Sequence, residues 1–466
     1  MSIPLKLSSI NEPTQNQIYQ QLNIKPVQKF FRKKQYWKKN DTKPSIPAYS
    51  TRPDTDSIFV PYYYGQKMLG TNPHFTRQYP ASYAGWDTSK VLYDYQQIII
   101  QEATQHLNIY GTTTLNIYTG SGKTVMGSYL GTATKLIQLV AYEDTGLVDS
   151  WIDTYKEFTN ASIYEVPLQE KPIPPGTNVI LCMTTRIHKI PPAILEQVGT
   201  LIIDEAHNMC TRDHFAALLR VNPKFIIAAT ATLKREDKLH LMIHAMCGPH
   251  IIFRKSTKPF YVCKFNTGVS VPIINNKLGD PDYSKIVHQL SCHHQRNMMI
   301  LNLVKQYPTH KIMIITKRVD HVKYLYECLL KMGESTDYMC EKKSKCNECR
   351  VIVGNVDKIG TGFDQKARVI GYDGKRIDLL IIAMSIKGDT PLEQAVGRGL
   401  RSDFPYIIHM IDNMKMFDGK DGHWNKYNKK WYESRNGTIT EAGYKPQELI
   451  PTISYEQVAQ ININIS

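Results

Sequence analysis

The stretch LNIYTGSGKTVMGSYL, residues 115–130, runs from an apolar segment through a glycine turn around Lys123 into a helix-forming segment. Gly120 and Gly122 let the backbone curl so that successive N–H groups face an anion at a helix N-terminus. Within TGSGKT, Thr119, Gly120, Ser121 and Gly122 shape the turn. Lys123 reaches the terminal phosphates of a polyphosphate, and the Thr124 hydroxyl offers a ligand to Mg²⁺. The full phosphate-loop pattern has a further glycine five residues before the last one. That position is Ile117 here, so the turn alone leaves open a structural glycine turn with an incidental lysine.

Working outward, short apolar runs recur at 135–141, 178–183, 200–203 and 224–229, mostly separated by helix-length segments. The alternation predicts a parallel sheet covered by helices on both faces. It resumes with runs at 311–316, 350–355, 378–385 and 406–412, and with a helix carrying Val319, Val322, Leu325 and Leu329 on one side. The fold class is therefore α/β, with two consecutive parallel sheets. The expected divisions are a basic N-terminal extension (1–86), a nucleotide-binding domain (87–262), a linker (263–282) and a second domain (283–466). A chain of 466 residues, too long for one ordinary core, agrees with that division.

LIIDEAH, residues 201–207, delivers adjacent carboxylates to the end of a strand, the edge where α/β sheets bind ligands. Asp204 is the expected Mg²⁺ partner of Thr124. Glu205 is the candidate for orienting and deprotonating a water that attacks the γ-phosphate. A simple phosphoryl transferase has no use for that second acid beside the first.

TGSGKT, DEAH and TAT (Thr230, Ala231, Thr232) together resemble motifs I, II and III of superfamily 2 helicases. KIGTGFD (358–364) resembles motif V, QAVGRGLR (394–401) resembles motif VI, and YDYQQ (93–97) is similar to the adenine-side glutamine motif, with Gln96 in the matching place. The resemblance covers about 90–405. It implies two tandem RecA-like domains, ATP as fuel, and a nucleic-acid track. It also implies coupling of hydrolysis to grip through His207, Thr230 and Thr232, and through Gly360, Thr361, Gly362 and Asp364. Thr390 as N-cap, Pro391 at the first helical position and Glu393 open a helix with a capping box, and on that helix Gln394, Arg398 and Arg401 fall at i, i+4 and i+7 on one face. Arg398 and Arg401 are then the expected clamp on the transferring phosphoryl group, reaching across from the second domain.

The texture of LNIKP, VPYYYG, GTGFD and EQAVGR resembles helicases of large nucleocytoplasmic DNA viruses of the iridovirus, poxvirus and asfarvirus types. That resemblance implies an intracellular viral enzyme of replication or transcription, in host cytoplasm or nucleus or packaged in the virion. It favours DNA over RNA, with transcription or replication proteins as further partners. An annealing or remodelling translocase stays open as the alternative, as does, from another class, a non-catalytic nucleic-acid-binding subunit. Two departures stand out. Glu143 and Asp144 occupy a place where the family contacts phosphates, although Trp151 follows as in relatives, and Tyr93 replaces a common arginine.

A net charge of +15 suits a polyanionic partner. No apolar run is long enough for a membrane span. An odd set of 9 cysteines with no signal peptide points to a reducing compartment. Cys340, Cys346 and Cys349, with Cys328 or His321, could form a zinc site, but free thiols are the favoured reading, and CHHQR (292–296) reads as a polar helix start. The basic aromatic stretches 30–39 and 423–435 serve equally as stacking platforms for bases or as packing against the domains.

Overall fold

The computed structural model describes residues 1–26, 45–52, 55–143, 146–169, 171–233, 237–256, 258–359, 363, 365–397, 399–402 and 405–443. The chain divides into two compact units, Met1–Arg254 and Lys255–Ser466.

The first unit opens with a small antiparallel sheet in which β1 (Ser2–Lys6) and β2 (Ser50–Arg52) both pair with β3 (Ser57–Pro61). Its apolar alternation buries Ile3, Ile58 and Val60 in the same core as Leu139 and Leu201 of the main sheet. The Ser2 hydroxyl donates to the Leu219 carbonyl at 2.7 Å, fastening the small sheet to that core. The described part of the expected N-terminal extension therefore shares the hydrophobic core of the first unit.

The main sheet contains β4 (Thr112–Ile117), β5 (Ile137–Tyr142), β6 (Ile163–Glu165), β7 (Val179–Met183), β8 (Val198–Ile203), β9 (Phe225–Thr230) and β10 (Ile251–Arg254). Their order is β10-β4-β9-β8-β5-β7-β6, all parallel. Every residue of β8 is buried, which is why it reads as a continuous apolar run rather than an alternating one. Each such Leu or Ile contributes roughly 1.5–3 kcal/mol by leaving water. Helices α1 (Asp94–Tyr110), α2 (Lys123–Ala133) and α3 (Val148–Phe158) pack on it. The order places β9 between β4 and β8, so the ends of these three strands lie side by side.

The second unit holds β11 (Phe260–Asn266), β12 (Ile312–Thr316), β13 (Thr336–Met339), β14 (Val351–Asn355), β15 (Leu379–Ile382), β16 (Tyr406–Ile411) and β17 (Gly437–Gly443). They form a second parallel sheet in the order β13-β14-β12-β15-β16-β11-β17. Two α/β sheets are thus present, as the apolar rhythm requires. The segment 263–282, expected to be a linker, instead starts inside β11. The alternating pattern of FYVCKFN buries Phe260, Val262, Cys263 and Phe265, and the strand is held between β16 and β17.

Helix α4 (Val319–Lys331) buries Val322, Leu325 and Leu329 as its spacing demands. The motif VI region departs from its expected form. Helix α5 (Asp389–Val396) starts from Gly388, at φ +100°, and no side chain caps it. The N-cap is therefore Gly388 and not Thr390, and Glu393 pairs with Arg435 at 2.7 Å. The helix stops at Val396 and Gly399–Arg401 form a separate 3₁₀ turn, so one continuous helical face does not carry Gln394 and Arg401 together.

Candidate functional site

Strand β4 ends at Ile117, and the loop from Tyr118 to Gly122 turns the chain into α2. The turn needs glycine twice, with Gly120 at φ +88° and Gly122 at φ +81°. A Cβ at Gly122 would also lie 2.5 Å from Gln96 Nε2. Gln96, on α1 and only 4% exposed, spans two elements: its Oε1 accepts from the Tyr93 N–H at 3.1 Å, and its Nε2 donates to the Ser121 carbonyl at 3.2 Å. Tyr95 adds a second tether, its hydroxyl donating to that carbonyl at 2.9 Å. Gln96 therefore acts first on the shape of the loop. Lys123 begins α2 and donates from Nζ to the carbonyls of Ile117 (3.1 Å) and Tyr118 (3.4 Å), curled back over the turn. Thr124 follows in the first turn of the helix, and Thr119 precedes the glycines on the open side of the loop.

At the end of β8, Asp204 is buried, and each of its oxygens takes one N–H. Oδ1 accepts from the Glu205 backbone at 3.0 Å, and Oδ2 from the Trp151 indole at 2.8 Å. Burial, and then the neighbouring Glu205 charge, push the Asp204 carboxyl up to about 6, while the Trp151 bond and the Lys123 charge pull the other way. Glu205 sits at φ +45° and ψ 52°, a left-handed conformation that costs a non-glycine residue on the order of 1–2 kcal/mol. That turn brings its Oε2 to 3.3 Å from His207 Nδ1. The same Nδ1 lies 2.9 Å from Thr230 Oγ1 at the end of β9. Thr230 in turn donates to the Thr232 carbonyl at 3.1 Å and accepts the Thr232 N–H at 3.2 Å. With the hydroxyl proton spent on that carbonyl, His207 is the donor to Thr230. A continuous chain of polar contacts thus runs from the Glu205 carboxylate to the segment after β9.

The donor set suits a magnesium–nucleotide. The glycine turn, the Lys123 ammonium and the buried Asp204 carboxylate, which feels the Lys123 charge, are the groups that could receive it. Ser121 Oγ in the loop is buried without a hydrogen-bond partner among the described residues, the condition in which a ligand or water can be received. Thr124, in the first turn of α2, and Asp204, at the end of β8, are the residues that could hold the cation.

In the second unit Gln394 is half-buried on α5, and Arg401 half-buried in the 3₁₀ turn beyond it. Gly360, Thr361, Gly362, Asp364 and Arg398 lie outside the described residues, as do Asp144 and the basic stretch 30–39. The other aromatic stretch packs inward: Trp424, Trp431 and Tyr432 are core residues of the second unit. Among the described residues no cluster of three or more His, Cys, Asp and Glu could hold a metal. Burial pushes the Cys346 and Cys349 thiols up to about 12. His321 is engaged with Asn297 at 2.8 Å, and His293 caps the helix His294–Gln306. Two contacts escaped the sequence, Trp151 with Asp204 and Arg435 with Glu393, because nothing local ties residues so far apart.

Residues 89–235 match the family described as Type III restriction enzyme, res subunit. A protein named as a helicase, 161L of Invertebrate iridescent virus 6, is 26% identical over 353 residues, covering 70% of this chain and 77% of the relative. A second, 055L of Frog virus 3, is 27% identical over 364 residues, covering 76% and 80%. L396 of Acanthamoeba polyphaga mimivirus, named as an ATP-dependent RNA helicase, is 25% identical over 432 residues, covering 86% and 78%. Among solved structures, S. cerevisiae Dbp5 bound to RNA and ADP BeF3 superposes with a TM-score of 0.53 at 11% identity, covering 79% of this chain and 93% of that one. The Type ISP restriction-modification enzyme LlaBIII bound to DNA gives 0.50 at 13%, covering 76% and 32%. Among the described residues no helix is long and apolar enough to cross a membrane.

Proposed function

We infer that this chain, with a ResIII helicase-family domain at residues 89–235 and the paired parallel sheets of superfamily 2 helicases, is an ATP-dependent helicase or translocase acting on nucleic acid. The observation that carries the reading is the line of contacts from Glu205 through His207 and Thr230 to Thr232. It joins the group expected to activate water to the segment expected to sense the track.

The loop N–H groups and Lys123 bind the β and γ phosphates. Thr124 and Asp204 would hold Mg²⁺, which would supply positive charge against the developing negative charge on the phosphates. Glu205 orients the attacking water and takes its proton on the carboxylate. Movement of the segment after β9 would shift Thr230, and through His207 the position of that carboxylate, so grip and hydrolysis become linked. Arg398 and Arg401, with Gln394 on the helix before them, are proposed to add charge to the transferring phosphoryl group. Gly362 and Asp364 are proposed to contribute to coupling from the second unit.

DNA is the proposed track, with replication or transcription in an infected cell as the setting. The matched relatives from DNA viruses and the excess of basic residues support this. The test is ATP turnover by the purified chain with single-stranded or duplex DNA or RNA, beside Glu205→Gln. Stimulation by one polymer, abolished in the variant, is the expected result. Turnover absent with every polymer, and binding identical in Glu205→Gln, would refute it.

A further inference from the structure

The two groups that hold the cation in this reading sit on separate elements, Thr124 on α2 and Asp204 at the end of β8. One buried side chain touches both elements. Trp151, on α3 and 1% exposed, lies against α2 at Gly127, where a Cβ would stand 3.0 Å from its Cη2. Gly127 is one turn beyond Thr124. The indole Nε1 donates to Asp204 Oδ2 at 2.8 Å, while Oδ1 is taken by the Glu205 N–H. Two donors, one on each oxygen, fix the rotation of the carboxylate and leave its remaining lone pairs for a ligand.

We propose that Trp151 is a positioning residue for the magnesium–nucleotide: its ring sets the separation between the Thr124 helix and Asp204, and its N–H fixes the orientation of the Asp204 carboxylate. A buried indole needs an acceptor, and a backbone carbonyl or a hydroxyl would serve that need. Here the acceptor is the one carboxylate expected to bind a cation. Partners of this kind, one bond removed from the metal, typically alter its affinity by about 10–100-fold when removed. The bond also ties α3, which follows the loop at the end of β5, to the hydrolysis site. A change in the entry to α3 would therefore be felt at the cation.

The inference rests on the nucleotide-hydrolysis reading, and the experiment separates the two. ADP binding to the full chain is measured by calorimetry with Mg²⁺ and with EDTA, and the half-activating Mg²⁺ concentration is read at saturating ATP. Trp151→Phe keeps an aromatic ring but lacks the donor. Tyr155→Phe is the control: it lies one turn along α3, equally buried, and its hydroxyl donates to Gln138 at 2.5 Å rather than to Asp204. Trp151→Phe is expected to lose roughly 10–100-fold of the Mg²⁺ enhancement of ADP binding, with EDTA-state affinity unchanged and half-activating Mg²⁺ raised in step. Tyr155→Phe should retain the enhancement. Gly127→Ala, which crowds the ring without removing it, should shift the enhancement in the same direction and provides a reading if Trp151→Phe does not fold. Wild-type enhancement in Trp151→Phe, or in Gly127→Ala where that alone folds, would overturn the assignment. No Mg²⁺-dependent ADP binding in the wild type would instead overturn the hydrolysis reading itself.

Discussion

Replacing Gly122 by alanine tests how the phosphate loop is held. The backbone there is left-handed at φ +81°, which costs alanine on the order of 1–2 kcal/mol. The added Cβ would stand 2.5 Å from Gln96 Nε2, far inside contact distance. Gln96 must then withdraw, losing its bond to the Ser121 carbonyl and straining the one it accepts from Tyr93. Because Gln96 is buried, an amide left without partners costs about 1–3 kcal/mol more. The expected loss for Gly122→Ala is therefore roughly 2–5 kcal/mol. In the first unit that corresponds to a fall in melting temperature on the order of 4–20 °C, at about 2–4 °C per kcal/mol. In a Gln96→Ala background the clash is gone, and Gly122→Ala should cost only the backbone part, about 1–2 kcal/mol. Urea unfolding of the four chains gives the coupling energy as a double-mutant cycle. Additive effects, with coupling near zero, would refute the idea that Gln96 and Gly122 share one packing constraint.

Three more outcomes follow from the same structure. Because the Asp204 carboxyl is raised to about 6, protons compete with Mg²⁺ below that pH. Half-activating Mg²⁺ should be flat above pH 6 and rise about tenfold per unit below it, which a turnover titration from pH 5 to 8 reads. The same shift makes ionised Asp204 a cost to the metal-free fold that is present above pH 6 and fades as pH falls towards the ordinary carboxylate value. In the second unit the Arg296–Asp412 pair, 2.8 Å apart and almost fully buried, should lose about 3–5 kcal/mol in Arg296→Met or Asp412→Ala, with little dependence on salt in denaturant melts. Finally, eight of the nine cysteines are buried and Cys292 is half-exposed. A thiol reagent at neutral pH should label one site rapidly in the native chain and none in Cys292→Ser.

The placement of Lys123 and Thr124 at the start of a helix, and of Asp204 and Glu205 just past the end of a strand, was legible because the strand-turn-helix pattern is local. Both sheets were legible for a similar reason, since strands buried on two faces stand out as apolar runs. The failures have physical causes. β11 hides in a segment studded with proline, lysine and glycine, and only its placement between β16 and β17 makes it a strand. The helix expected to open at Thr390 starts earlier, from Gly388, and Glu393 has a distant charge partner in Arg435, stacked 4.3 Å over Trp431. The aromatic stretch 423–435 carries the same composition whether it stacks bases or fills a core, and burial of Trp424, Trp431 and Tyr432 decides for the core. Trp151 was visible as a residue but its partner was not, since the bond spans 53 positions.

The Glu393–Arg435 ion pair bears on how the second unit can be dissected. A block of motifs ending near residue 401 invites transplantation into chimeras or truncation for minimal fragments. Yet its helix is fastened by a guanidinium supplied 42 positions downstream, at the far end of a segment that looks like a dispensable tail. A fragment cut before Arg435 would deprive the buried Glu393 of that ion pair. Modularity in this protein therefore ends no earlier than the start of β17, whatever the motif boundaries suggest.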